Sequence, residues 1–200
     1  MLFSSALLLA AASASITSAQ TTYTRSSKRG LVYIPSTDHP SDDQIWVENG
    51  SDLTWYYNYA ADPSASYNNR SQDEFEFVPM LWSNATTFLS DIKAQIKGGR
   101  NITHVLTYNE PDGSSSTGGS NIDPKDAARN WISQVEPLRA LGIRTGAPAV
   151  TGSPGGFTWL SEFFDACASL GTNCTADFFP VHWYGNFEGL ASHLGQVTGT

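Results

Sequence analysis

His104-Val105-Leu106-Thr107-Tyr108-Asn109-Glu110-Pro111-Asp112 is the stretch whose reading decides the fold. It opens as an apolar run and ends abruptly in Asn-Glu-Pro-Asp. Val105, Leu106 and Tyr108 suit a buried strand, and Pro111, which has no amide hydrogen, stops the ladder. Asn109 and Glu110 therefore stand where a strand hands over to a loop. In a parallel α/β barrel that place is the mouth, where functional groups collect. A lone Asn-Glu-Pro also fits a solvated loop carboxylate, so the rest of the chain has to decide.

Working outward, apolar runs at Gly30–Ile34, Leu53–Tyr59, Phe75–Trp82, His104–Tyr108, Ile143–Ala147 and Phe178–Tyr184 read as strands. Helical patterns lie between them. Asn84 can cap a helix in which Phe88, Ile92 and Ile96 recur one turn apart, ending at Gly98-Gly99. Asp123-Pro124 starts a second helix with a buried stripe of Ala127, Trp131, Val135, Leu138 and Leu141. Gly142 ends it and Pro137 kinks it. A third runs from about Thr158 to Leu170, with Leu160, Phe163, Phe164 and Cys167 facing inward and Gly171 as its stop. Strand–helix–strand alternation at this spacing means right-handed βαβ units and a parallel sheet. The glycine-rich loop Gly113–Asn121 follows Glu110 into the next helix, so it borders the site. It does not follow the first strand, which argues against a dinucleotide fold.

Several strands end in rings and polar groups: Trp55-Tyr56-Tyr57-Asn58-Tyr59, Pro79-Met80-Leu81-Trp82 and Val181-His182-Trp183-Tyr184. Flat rings for stacking and donors for hydroxyls are what a saccharide groove needs. A carboxylic acid held there by a rigid strand supplies one of the two groups a glycosidase uses. Period-two alternation sends about half of these rings outward under the helices.

Met1–Ala19 carries no charge and contains Leu7–Ala12, followed by the small residues Thr17-Ser18-Ala19. It reads as a secretory signal peptide lacking the usual positive start, with residues 20–28 as a linker. Asn49, Asn69, Asn84, Asn101 and Asn173 each begin a glycosylation acceptor triplet, which suits an extracellular protein. Cys167 and Cys174 are near enough in sequence to close a small disulfide loop in an oxidising compartment, the alternative being two buried thiols. No ligand cluster for a metal is visible, and no cofactor is implied. The formal net charge of −8 argues against nucleic acid and anionic membranes as partners. No run is long enough to span a membrane.

Arg29-Gly30-Leu31-Val32-Tyr33, Trp55–Tyr59, Phe77–Trp82, Asn109-Glu110-Pro111-Asp112 and Asp177–Tyr184 occur in one order, and together they resemble glycoside hydrolase family 128, the alkali-sensitive linkage protein group. The resemblance covers roughly residue 28 to the end of the chain. It implies a (β/α)8 TIM barrel and a secreted or cell-wall-associated fungal setting. The implied activity is retaining hydrolysis of β-1,3-glucan by a monomer, with that polysaccharide as the partner. By the match at Asn-Glu-Pro-Asp, Glu110 would be the general acid/base and Asn109 would hold the sugar at the cleavage subsite. Tyr57, Asn58, Trp82, His182, Trp183 and Tyr184 would contact substrate. The family's nucleophile is a glutamate on the seventh strand. Eight units usually need about 250 residues, whereas Thr200 comes soon after the sixth strand. Residues 29–200 are therefore expected to be a catalytic domain cut before its seventh strand, with about six βα units. A glucan-binding wall protein that does not cut, or an inactive product, is the alternative.

Overall fold

The computed structural model describes residues 28–198. The signal peptide expected over residues 1–19 and nearly all of the linker over residues 20–28 lie outside them. Five short strands are all paired in parallel. β1 (Gly30–Val32), β2 (Trp55–Tyr57) and β3 (Glu76–Phe77) form one ladder, with Leu31 opposite Tyr56 and Tyr56 opposite Phe77. β4 (His104–Val105) pairs with β5 (Arg144–Thr145). Single bridges continue the succession. Met80 pairs with Leu106, joining the two ladders, and Gly146 pairs with Phe178. Six chain segments thus follow one another in sequence order. The expected strand over Phe178–Tyr184 is reduced to that one bridge. Pro180 removes a donor there, and no described segment pairs along its other side.

The six βα units expected from the sequence are not six helices. β1 is followed by a 3-10 stretch, Pro40–Val47, and β2 by the 3-10 turn Ala65–Tyr67. Aromatic packing replaces a helix over this end of the sheet. Tyr33, Tyr56, Tyr67, Phe75 and Phe77 form their own buried cluster, with Tyr56 only 4.9 Å from Phe75 and 5.0 Å from Tyr67. Buried Asp43 ties the 3-10 stretch to this cluster. Its carboxylate accepts from Ser36 N and Ser66 Oγ, and its carbonyl accepts from the Tyr67 hydroxyl.

Helices cover the remaining strands: α1 (Phe88–Lys97), α2 (Pro124–Gln134), α3 (Glu136–Arg139), α4 (Pro154–Ser169) and α5 (Phe187–Thr198). The larger core lies under α1, α2 and α4 around Ile92, Val105, Tyr108, Trp131, Leu138 and Phe163. Asp123 caps α2 by accepting from Lys125 N, as its sequence suggests. Asn84 does not cap α1, which begins after Thr87. Pro137 ends α2 rather than bending it, because its missing N–H interrupts the helical ladder and a separate short α3 follows. α4 starts four residues earlier than expected, since the Ser153 side chain caps it at Gly156 N. Ile96 and Leu141, expected in buried stripes, are exposed at the helix ends. α5 follows the sixth segment where the sequence pattern gave no helix, and Glu188 lies in its first turn.

The cysteines Cys167 and Cys174 form a disulfide closing the turn after α4. Beyond it, Arg139 clamps the chain by donating to Thr175 O and to the Asp177 carboxylate, both at 2.8 Å. The Thr145 N–H also donates to Asp177 and, with Arg139, holds that carboxyl below its ordinary pKa. Among the described residues no helix is long and apolar enough to cross a membrane.

Candidate active site

Tyr108 delivers the site to its place. It is fully buried, and its hydroxyl donates to Ala127 O (2.9 Å) and Asn130 Oδ1 (3.0 Å) on α2. Burial pushes that hydroxyl's pKa well above its ordinary value. The next two residues leave the strand at its C-terminal end. Asn109 N donates to Trp82 O (3.1 Å) and Glu110 N donates to Ala149 O (2.7 Å), so both neighbouring segments grip this point. Glu110 has φ +41°, a left-handed conformation that non-glycine residues adopt at a cost. The loop after it is folded tightly back. Gly113 N donates to Glu110 O at 2.8 Å, and a Cβ on Gly119 would lie 2.5 Å from Gly113 backbone and 2.7 Å from Glu110 O. Only glycine fits at residue 119.

The Glu110 and His182 side chains, each 17% exposed, meet with Oε1 2.8 Å from Nδ1. With the carboxylate ionised, His182 Nδ1 carries the proton and donates. With Glu110 protonated, the acid donates to Nδ1. Asn109 is anchored by Nδ2 to Gly118 O (2.9 Å), and its buried Oδ1 takes no hydrogen bond from the described residues. A cleft of about 350 Å³ opens here, lined by Ile34, Tyr59, Trp82, Thr117, Gly118 and Tyr184 together with Asn109, Glu110 and His182. Tyr184 is almost fully exposed at its rim.

The sequence-selected residues divide. Asn109, Glu110, Trp82, His182 and Tyr184 converge on the cleft. Tyr57 is one step removed, its ring 5.2 Å from that of Tyr59, and burial first and then Tyr59 raise its hydroxyl pKa. Asn58 shapes the turn, donating to Asp62 O (3.0 Å) and accepting from Ala60 N (3.3 Å). Trp183 turns toward α5, where it stacks on His193 at 5.4 Å and donates to Asn186 O. Tyr59 stands in the cleft without having been singled out. Its position in the Trp55–Tyr59 run was visible, but the left-handed turn at φ +59° that aims it was not. The five acceptor asparagines Asn49, Asn69, Asn84, Asn101 and Asn173 are all exposed.

Glu110 is the only carboxylate lining this cleft among the described residues. Asp112 is near in sequence but is spent on Thr151, accepting from its N–H at 2.9 Å and from its hydroxyl. Glu136 receives Trp131 Nε1. Glu76 receives the Thr103 hydroxyl, inside a separate cavity between the strands with His104 and Phe178.

The parallel α/β frame thus carries, where its segments end, an acid held by both neighbouring segments, paired to a histidine and bordered by a tryptophan and tyrosines. The chain belongs to the glycosyl hydrolase catalytic core family, whose model matches residues 30–200. It is 35% identical over 175 residues to alkali-sensitive linkage protein 1 of Schizosaccharomyces pombe, a match covering 86% of this chain and 29% of that protein. The chain thus spans less than a third of that relative. Two solved structures of glycoside hydrolase family 128 are similar, each over 86% of this chain. One is a subgroup III curdlan-specific exo-β-1,3-glucanase from Blastomyces gilchristii, solved with glucose, at 29% identity and a TM-score of 0.66 over 68% of its chain. The other is a subgroup II endo-β-1,3-glucanase from Pseudomonas viridiflava, at 26% identity and a TM-score of 0.68 over 66% of its chain.

Proposed function

We propose that the Glu110 cleft binds β-1,3-glucan outside the cell, at or near the fungal wall, and that Glu110 is the general acid/base of retaining hydrolysis in a (β/α)8 barrel. The observation that carries this reading is the Glu110–His182 pair inside a cleft bordered by Trp82, Tyr59 and Tyr184. Those rings offer faces for pyranose stacking, and Asn109 and His182 offer polar partners for sugar hydroxyls. In the first step the protonated acid gives its proton to the leaving glycosidic oxygen. In the second the same carboxylate takes a proton from water. His182 Nδ1 can support both states, as donor to the carboxylate and acceptor from the acid. A retaining partner must lie about 5–5.5 Å away, and it has to come from outside the described residues. The two glucanase neighbours support the linkage, and the disulfide fits an oxidising compartment.

A second reading is glucan binding without cleavage, favoured by Glu110 standing alone among carboxylates in the cleft. One experiment separates the two. The complete protein and its Glu110→Gln variant are incubated with linear β-1,3-glucan, and both reducing ends and retained protein are measured. Hydrolysis that vanishes in the variant while binding persists supports the enzyme. Binding without reducing ends from either protein supports the second reading, and no binding by either refutes both.

A further inference from the structure

One acceptor triplet differs from the other four: in Asn173-Cys174-Thr175 the middle residue is half of the disulfide. In the folded chain that triplet is pinned on every side. Just before it, Thr172 N donates to Cys167 O at 3.1 Å. Cys174 is wholly buried, bonded to Cys167, and held at φ +43°. Thr175 O receives Arg139 Nη1 at 2.8 Å. A left-handed cysteine is a conformation that an open chain visits rarely. Asn173 itself is exposed, so a sugar already on it is compatible with the fold. The turn lies beside β5, where Thr145 Oγ1 donates to Thr175 O, and none of residues 172–177 lines the Glu110 cleft. A glycan there would not cover the cleft.

We propose that Asn173 is a glycosylation site whose use is decided by whether the Cys167–Cys174 ring closes first. The inference rests on passage through an exporting, oxidising compartment. Glycosyl transfer joins Asn173 Nδ2 to the anomeric carbon of a lipid-pyrophosphate-linked oligosaccharide. The carbon–oxygen bond to pyrophosphate breaks, and the amide nitrogen loses a proton. It needs a triplet that can be drawn out and bent into the transferase. Ring closure removes two protons and two electrons from the cysteines, reducing a protein disulfide oxidant to its dithiol, and leaves the triplet pinned. Chains that close the ring early keep a bare Asn173. Chains glycosylated first still fold and then close the ring.

The test expresses the full 200-residue chain behind a yeast secretion leader and reads occupancy of each asparagine by glycopeptide mass spectrometry, in secreted and cell-retained pools. Wild type is compared with Cys167→Ser, which opens the ring but keeps the triplet, and with Phe163→Ala, which loosens the buried core but keeps the ring. The expected result is low Asn173 occupancy in wild type and in Phe163→Ala, rising at least threefold in Cys167→Ser. The other four asparagines do not change, and a brief reducing pulse on wild type reproduces the rise. Full occupancy in wild type, no rise in Cys167→Ser, or an equal rise in Phe163→Ala would overturn the proposal.

Discussion

Tyr108→Phe is the substitution that most sharply tests how the site is held. The phenol oxygen sits in a fully buried position and donates to Ala127 O and Asn130 Oδ1. Asn130 in turn donates through Nδ2 to Asn84 O (3.2 Å) and Ala85 O (3.1 Å), two residues beyond Trp82. One hydroxyl therefore links the strand carrying Glu110 to the loop following the cleft's tryptophan. Phenylalanine keeps the ring packing but leaves Asn130 Oδ1 buried without a donor, at a cost of about 1–3 kcal/mol. For a domain of this size that lowers Tm by roughly 2–12 °C. Urea unfolding followed by tryptophan fluorescence gives the free energy. Asn130→Ala and the double variant complete a cycle with an expected coupling above about 0.5 kcal/mol. A Tyr108→Phe protein within about 0.5 kcal/mol of wild type, or strict additivity with Asn130→Ala, would refute the network as a stabilising element.

Other outcomes follow from the same geometry. Gly119→Ala forces a methyl group onto Gly113 and Glu110 backbone, so it should weaken oligosaccharide binding at least tenfold by titration calorimetry. Retained affinity would mean the loop is not tied to the site. Burial raises the hydroxyl pKa values of Tyr33, Tyr57, Tyr67 and Tyr108 and pushes Tyr56 up to about 12. The native state therefore keeps protons that the unfolded chain releases near pH 10, and stability is full below that pH and falls as pH rises above it. Tyrosinate absorbance and circular dichroism should change together above pH 10, and full ionisation without unfolding would contradict the burial. Opening the disulfide by Cys167→Ser should cost about 2–2.5 kcal/mol on the chain-entropy relation for a sequence separation of 7. An unchanged unfolding midpoint would show the ring contributes nothing.

Much of this arrangement was legible in the residues because it rests on local rules. Asn-Glu-Pro after a β-branched run marks a strand end, and Asp123-Pro124 marks a helix start. Glycine after the last turn stops α4 at Gly171. Legibility failed where long-range packing decides. Ring-on-ring burial among Tyr33, Tyr56, Tyr67 and Phe75 stands where helices were expected after β1 and β2, and no period in the sequence announces it. Trp183 was read with His182 and Tyr184 as one motif, yet past the bridge at Phe178 the segment is not a strand, and α5 supplies His193 to receive the indole ring. The Glu110–His182 contact spans 72 residues. Composition placed both at strand ends, but only the parallel order of segments brings those ends together.

If the Glu110 cleft takes β-1,3-glucan, titration of the full chain with laminari-oligosaccharides, beside cello-oligosaccharide controls, will show it. The expected result is saturable binding of the β-1,3 series by wild type and by Glu110→Gln, weakened at least tenfold in Trp82→Ala, with no binding of the β-1,4 series. Absence of binding by wild type, or binding indifferent to Trp82, would contradict it.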